Sequence, residues 1–157
     1  FDLVPLTILR EGPYGFGMVQ EWIHIDENID LATFFSTDHP QLRSMALFDA
    51  IINNTDRKIG HLLPVNEYTV FGCDHGVSFH HENKLRTVIW QFADLELTGE
   101  EIEKIELLLS KLDTAHLGKY LSELEVSALF ERANALLETK KFAVPNPNWP
   151  AVPWPPY

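Results

Sequence analysis

The chain has 157 residues, 45% of them hydrophobic, which is enough for one domain with its own core. Its 12 basic and 23 acidic residues give a formal net charge of −11, which disfavours nucleic acid and anionic membranes as partners of the bulk surface. The single cysteine, Cys73, excludes an internal disulfide and is typical of a reducing compartment, so we expect a cytoplasmic protein. No apolar run approaches ~20 residues, so we expect no integral membrane segment.

The first predicted elements are two β-strands, "DLVPLTILRE" and "GMVQEWIHI", joined by the Gly- and Pro-rich turn "EGPYGFG". The glycines of this turn follow the order Gly-x-x-Gly-x-Gly and no helix comes after them, which argues against a phosphate-binding loop. The chain opens directly into strand-like sequence without an initiator methionine, so we expect a fragment that continues upstream.

A helix is predicted next, in "DHPQLRSMALFDAIINN", where Pro40 suits the first turn and Leu42, Met45 and Ile52 supply an apolar side. Two short apolar runs follow, "GHLLPV" and "YTVFGC", and we predict that they pair as a β-hairpin. The polar segment "DHGVSFHHENKLRT" then lacks any period and is long enough to be a functional loop.

The second half of the chain is predicted to be helical. Thr98 and Glu101 form a capping box before the apolar positions of "EEIEKIELLLSKLD", and Ser122 and Glu125 repeat this device before "VSALFERANALLETKKF". Strands that precede a run of helices indicate an α+β fold in which the helical part dominates.

The C-terminal tail, residues 145–157, is rich in proline and is predicted to be extended. We expect it to dock on the domain formed by residues 1–144, because Trp149, Trp154 and Tyr157 are costly to leave in water. The alternative is that it serves as a ligand for the aromatic groove of a partner.

Charged residues lie at both ends of the predicted hairpin. Asp56 precedes its first strand and Asp74 follows its second, so pairing brings the two carboxylates to the same end. His61 follows Asp56 by five residues, and Arg57 and Lys58 stand beside it. Carboxylates suit a divalent ion and cations suit phosphate, so this pattern indicates a metal and phosphate site.

The same residues also have simpler interpretations. Asp56 and Asp74 occupy positions where aspartate is common in turns, and Arg57 and Lys58 are equally consistent with surface cations. Three histidines lie in the loop that begins at Asp74: His75, His80 and His81. Such histidines are more often solvated or hydrogen-bonded than bound to zinc, and one cysteine with scattered histidines lacks the spacing of a structural zinc site. Two tryptophans, Trp22 and Trp90, are predicted to lie in the core.

The segments "LFDAIINNTDRKIGHLL" and "VFGCDHGVSFHHENKLRTVIW", with the ending "NWPAVPWPPY", resemble an actinobacterial family described as phosphatidylinositol 3- and 4-kinase-like, over nearly the whole chain. More distantly, "NTDR" and the later Asp-x-Gly are similar to type II phosphatidylinositol 4-kinases, within the protein-kinase-like superfamily. The wider likeness rests mainly on residues 45–80 and on "MVQEWI". The resemblance implies a protein-kinase-like C-lobe, mainly helical, with a catalytic β-hairpin and two preceding strands that lead into the hinge.

The resemblance also implies roles for the site residues. Asp56 would be the catalytic carboxylate, with Arg57 and Lys58 beside it to offset phosphate charge, and Asp74 would bind the metal ion that bridges the nucleotide phosphates. His61 stands where the kinase pattern has asparagine. Since Mg²⁺ prefers oxygen ligands, this change points to Mn²⁺ in place of Mg²⁺, to a phosphate contact by His61, or to loss of the second metal.

The adenine ring of ATP would face backbone groups of Gln20, Glu21 and Trp22 in the hinge. The glycine-rich loop and the strand lysine that hold ATP in kinases are not visible, so we expect the N-lobe to be missing or truncated. The implied activity is transfer of a phosphoryl group from ATP to a hydroxyl of a lipid, a small molecule or a protein. The charge of the chain does not support peripheral contact with an anionic membrane.

Two other functions remain open at this point. A metal-dependent phosphohydrolase would use Asp74, His61 and the histidine cluster to activate water. A non-catalytic pseudokinase or interaction module would use the tail or a helical face to recruit a partner.

Overall fold

The computed structural model describes residues 1–157, and the protein has an α+β fold, as predicted. No helix combines the length and the apolar character needed to cross a membrane. Two short 3₁₀ turns, Ile59–His61 and Trp90–Phe92, interrupt the loops. In chain order the strands and helices are β1 (Thr7–Gly12), β2 (Gly15–Gln20), α1 (Leu31–Phe34), α2 (Pro40–Ile52), β3 (Leu62–Pro64), β4 (Val70–Gly72), α3 (Gly99–Lys111), α4 (Thr114–Leu117) and α5 (Glu123–Thr139).

Strands β1 and β2 form an antiparallel hairpin that is shorter than the sequence predicted. Gly15 has a φ of 105°, a left-handed conformation that favours glycine and closes the turn. The prediction of strand over residues 2–6 was wrong, because this segment turns toward the rest of the molecule: Leu3 is buried and its carbonyl accepts a hydrogen bond from Gly72. The residues after Gln20 are also irregular.

Helix α2 begins as predicted, with His39 as N-cap and Pro40 at the first helical position. It ends earlier than predicted because Asn53 adopts a left-handed conformation, with a φ of 55°. Both capping boxes are confirmed: Thr98 and Ser122 each exchange hydrogen bonds with the glutamate three residues later. Helix α5 packs on α2 and α3, and the core they share contains Leu42, Met45, Ile51, Ile105, Leu129, Ala133 and Leu136.

The C-terminal tail lies against the domain through its backbone. The carbonyl of Ala151 accepts hydrogen bonds from the Thr87 backbone N–H and from the Trp90 indole, at 3.0 and 2.8 Å. The carbonyl of Pro156 accepts one from the backbone N–H of Ile59. Trp90 is partly buried and packs against the core. The tail therefore ends beside the 3₁₀ turn that precedes β3.

The aromatic residues of the tail contribute unequally. Trp149 is partly buried, and the cationic groups of Lys84 and Arg86 lie 5.4 and 5.6 Å from the centre of its ring. Trp154 is 88% exposed and Tyr157 is 60% exposed. The prediction that these two residues anchor the tail was wrong, because backbone hydrogen bonds and the ring of Trp149 hold it instead.

Candidate functional site

The hairpin that was predicted to carry the site is present. Leu62 pairs with Gly72 and Pro64 with Val70, and all four of these residues are buried. Pairing of Leu62 with Gly72 places the chain just before β3 next to the chain just after β4. Residues 56–61 and 73–75 therefore meet at one end of the hairpin.

Asp56, His61 and Asp74 come together at this end. Each offers one side-chain ligand atom, and the three atoms lie within 4.8 Å of one another. Nε2 of His61 is 3.5 Å from Oδ2 of Asp74. The His61 side chain is only 14% exposed whereas that of Asp74 is 62% exposed, so the group opens to solvent on the Asp74 side. The predicted convergence of the two carboxylates is confirmed.

The residues on both sides of Asp74 are held in place. Asp74 has a φ of 56°, a left-handed conformation that aspartate tolerates better than most residues. The Cys73 N–H donates to the carbonyl of His61 at 3.1 Å, and the Cys73 carbonyl accepts from Nη1 of Arg57 at 3.0 Å. His75, on the other side of Asp74, also contacts the Arg57 guanidinium, at 2.7 Å.

Arg57 is buried, contrary to its prediction. It was predicted to be a surface or phosphate-facing cation, but its side chain is fully buried and forms two 2.8 Å hydrogen bonds to the carboxylate of Asp49. Burial works against its charge, yet the Asp49 carboxylate raises the pKa of Arg57 above its ordinary value. Four of its five N–H groups are engaged and the side chain is inaccessible to a bound phosphate, so Arg57 positions the loop that carries Asp74.

His75 is hydrogen-bonded and neutral. A guanidinium only donates, so Nε2 of His75 must accept from Arg57 and the ring proton sits on Nδ1. Burial, aided by the charge of Arg57, lowers the pKa of His75 to about 4. The ring also meets that of Phe48 edge to face, with 5.4 Å between their centres. This environment holds His75 away from a zinc-ligand role.

Asp49 and Asn54 support the site, although neither residue was predicted to belong to it. The Asn54 amide donates to Asp49 at 3.0 Å, and its oxygen accepts the backbone N–H of Asp56 at 3.0 Å. Both side chains are fully buried. One signal was present in the sequence: Asp49 lies four residues after Met45 on the apolar side of α2, where a carboxylate needs a buried partner.

Lys58 is the cation that remains at the site. Its Nζ lies 3.3 Å from Oδ2 of Asp56, and both side chains are partly exposed. Burial lowers the pKa of His61, so this imidazole is neutral at pH 7 and keeps a lone pair for a ligand. Two carboxylates with one neutral imidazole fit a divalent ion, and the nitrogen favours Mn²⁺ over Mg²⁺.

The three residues assigned to the hinge lie at the end of β2 and just beyond it. The Gln20 side chain donates to Oγ1 of Thr7 at 2.9 Å, and the Glu21 N–H donates to the carbonyl of Leu6 at 2.8 Å. Trp22 is 83% exposed, so its predicted place in the core was wrong. No hydrogen bond or ion pair joins these three residues to Asp56, His61 or Asp74.

The chain is similar to protein Rv2133c of Mycobacterium tuberculosis strain H37Rv, with 33% identity over 193 aligned residues. The alignment covers 99% of this chain and 69% of the relative. No family model matches the chain, and no solved structure matches it. The name of the relative states no activity.

Proposed function

The chain belongs to the same family as Rv2133c, and we propose that it is a kinase-like phosphotransferase that moves a phosphoryl group from ATP to a hydroxyl acceptor. The observation that carries the proposal is the convergence of Asp56, His61 and Asp74 within 4.8 Å. Phosphoryl transfer needs a carboxylate near the attacking hydroxyl, ligands for a divalent ion and a cation near the phosphate. This group and the adjacent Lys58 supply all of these.

The order of elements supports the same proposal. Helix α2, Asp56, His61, the β3–β4 hairpin and Asp74 follow one another as the corresponding parts do in the kinase pattern, and a loop without regular structure comes after Asp74. On this basis we interpret residues 31–144 as a kinase-like C-lobe. The resemblance to the phosphatidylinositol 3- and 4-kinase-like family supports the same interpretation, with β2 leading into a hinge at residues 20–22.

The chemistry assigns one role to each group. The acceptor oxygen bonds to the γ-phosphorus of ATP while the bond from that phosphorus to the bridging oxygen breaks, and ADP leaves. Asp56 takes the proton of the acceptor hydroxyl. Lys58 lies beside Asp56 and offsets the negative charge of the phosphates. Asp74 and His61 would hold Mg²⁺ or Mn²⁺, which supplies further charge neutralisation.

The class of acceptor follows from charge. The formal net charge of −11 opposes contact with an anionic bilayer, so a hydroxyl on a small molecule or a protein is favoured over a membrane lipid. The resemblance implies phosphatidylinositol as the acceptor, and this lipid is supplied in mixed micelles as a separate acceptor in the turnover assay described below.

Metal binding tests the site directly. We expect Mn²⁺ titrated into the 157-residue chain and followed by electron paramagnetic resonance to bind at one site, at least tenfold more weakly in Asp74→Asn. The matched control is Asp2→Asn, because Asp2 is also an exposed aspartate with a left-handed φ, 52° against 56° for Asp74. Equal affinities of the wild type and Asp74→Asn would remove the metal role of this carboxylate.

Turnover separates the three candidate functions. ATP with a labelled γ-phosphate is incubated with Mn²⁺ and pools of hydroxyl acceptors, and we expect transfer that is lost in Asp56→Asn. Release of phosphate from a simple phosphate monoester without ATP would indicate the phosphohydrolase instead. Absence of both activities, with no binding of nucleotide, would indicate a non-catalytic interaction module.

A further inference from the structure

A cavity of about 330 Å³ lies between α2, α5 and the segment after α5, away from the metal-capable group. Its wall is mostly apolar, with Leu85, Leu136, Phe142 and Val144 among the residues that form it. Pockets for small ligands in proteins usually begin at about 300 Å³. None of the residues that line this cavity belongs to the group of Asp56, His61 and Asp74.

Arg132 lines this cavity, and its guanidinium lacks a counter-ion. Its Nε donates to the carbonyl of Ile51 at 2.9 Å, and Nη1 donates to the carbonyl of His80 at 3.2 Å. Nη2 is buried and has no hydrogen-bond partner. No carboxylate lies within ion-pair distance of Arg132, whereas the arginines at positions 43 and 57 each have one.

The charges around the cavity favour an anion. A second cation on the wall, Lys141, is already paired with Asp94 at 2.9 Å, so Arg132 leaves the cavity with one net positive charge. Burial lowers the pKa of Arg132 to about 10, and the charge of Glu131 offsets this effect only in part. A buried charge without a partner is costly, and a bound anion would relieve that cost.

We propose that this cavity binds a small amphipathic carboxylate, whose charged group pairs with the guanidinium of Arg132 and whose apolar body lies against Leu85, Leu136 and Phe142. One net positive charge suits a monoanion, whereas a phosphate dianion usually pairs with more than one cation. The site is separate from the phosphotransferase site, and its occupancy does not depend on a metal ion.

The first test compares two probes with the same apolar body, octanoate and octanol, by titration calorimetry in the presence of EDTA. We expect octanoate to bind the wild-type chain at least tenfold more tightly than octanol. In Arg132→Gln this difference should disappear, and in the matched control Arg10→Gln, which changes an exposed arginine of β1, it should remain. Equal affinities of the two probes for the wild type would overturn the proposal.

The second test fills the cavity and does not depend on Arg132. Ala135 lines the cavity from the exposed side of α5, so Ala135→Leu is expected to fold and to weaken octanoate binding at least tenfold. Unchanged binding in Ala135→Leu would place the octanoate elsewhere and overturn the proposal, even if Arg132→Gln failed to fold. Neither result bears on the metal titration with Asp74→Asn, so the two proposals fail separately.

Discussion

At the scale of single residues, the Asp49–Arg57 pair decides where Asp74 lies. Both side chains of this pair are fully buried, and no other ion pair in the chain is buried on both sides. An isolated charge at this depth would be strongly destabilising, so each partner requires the other. The pair links α2 to the residues on both sides of Asp74, through the backbone carbonyl of Cys73 and the side chain of His75.

His75 gives a pH-dependent prediction. Its pKa is lowered to about 4, whereas an unfolded chain has the ordinary value near 6.5, so the unfolded state binds more protons between these values. Stability therefore falls as the pH drops from 7 to 5. After allowance for partial exposure we expect the wild type to lose about 1 kcal/mol more than His75→Gln, which keeps an acceptor for Arg57.

Urea unfolding at the two pH values, with EDTA present, measures this difference. Equal pH dependence of the wild type and His75→Gln would show that His75 does not titrate as described. Because glutamine cannot take up a proton in this range, the variant also reports the contribution of all other groups.

The residues of the site were predictable only where chain order determines position. Asp56 and Asp74 flank two apolar runs, and pairing of those runs was sufficient to bring them together. Arg57 was misjudged because a charged residue next to a turn is usually solvated. Its buried partner comes from α2, eight residues earlier, and no local pattern links the two.

At the scale of elements, β4 approaches α2 and Arg57 closely through Gly72. A Cβ atom at Gly72 would lie 2.8 Å from Cε of Met45 and 3.2 Å from Nη1 of Arg57. The methionine tip has some freedom to move, but the Arg57 guanidinium is fixed by its hydrogen bonds. The absence of a side chain at position 72 is therefore part of what lets the hairpin sit on the buried ion pair.

We expect Gly72→Ala to destabilise the fold by about 1–3 kcal/mol, because the added methyl group overpacks this contact. The matched control is Gly60→Ala, where no atom lies within 4 Å of the added Cβ. Thermal and urea unfolding of both variants measure the effect. A loss in Gly72→Ala no larger than that in Gly60→Ala would contradict the close contact.

Helices were easier to predict than strands. The starts of α3 and α5 follow from Thr98 and Ser122 and the glutamates after them, which are local signals. Strands β3 and β4 have three residues each and depend on pairing across the hairpin. Strand β1 was predicted too long because its apolar start serves a different purpose, with Leu3 buried beside β4.

At the scale of the whole molecule, the β1–β2 hairpin differs from the rest. Leu9, Phe16 and Met18 lie on one face of the ribbon and Ile8 and Val19 on the other, and all five are exposed. Apolar side chains on both faces are typical of a buried strand, but a two-stranded ribbon covers neither of its own faces. Composition and pattern therefore gave the fold class, whereas which surfaces are covered depended on tertiary contacts.

The tail gives a prediction at this scale. Trp149 is partly buried beneath Lys84 and Arg86, and Trp154 is 88% exposed. We expect Trp149→Ala to lower the free energy of unfolding by about 2 kcal/mol and Trp154→Ala to change it by less than about 0.5 kcal/mol. Urea unfolding followed by circular dichroism compares the two. Similar losses in both variants would mean that the ring of Trp149 does not hold the tail.

The connection from α2 through Arg57 to the backbone around Asp74 has a consequence for affinity. Because that backbone is fixed when the chain folds, little conformational entropy is left to lose when a cation arrives. A preorganised carboxylate converts more of its attraction for the ion into binding free energy than one on a mobile loop does. Selection for cation affinity would then act on the interior of the helix as much as on the ligands themselves.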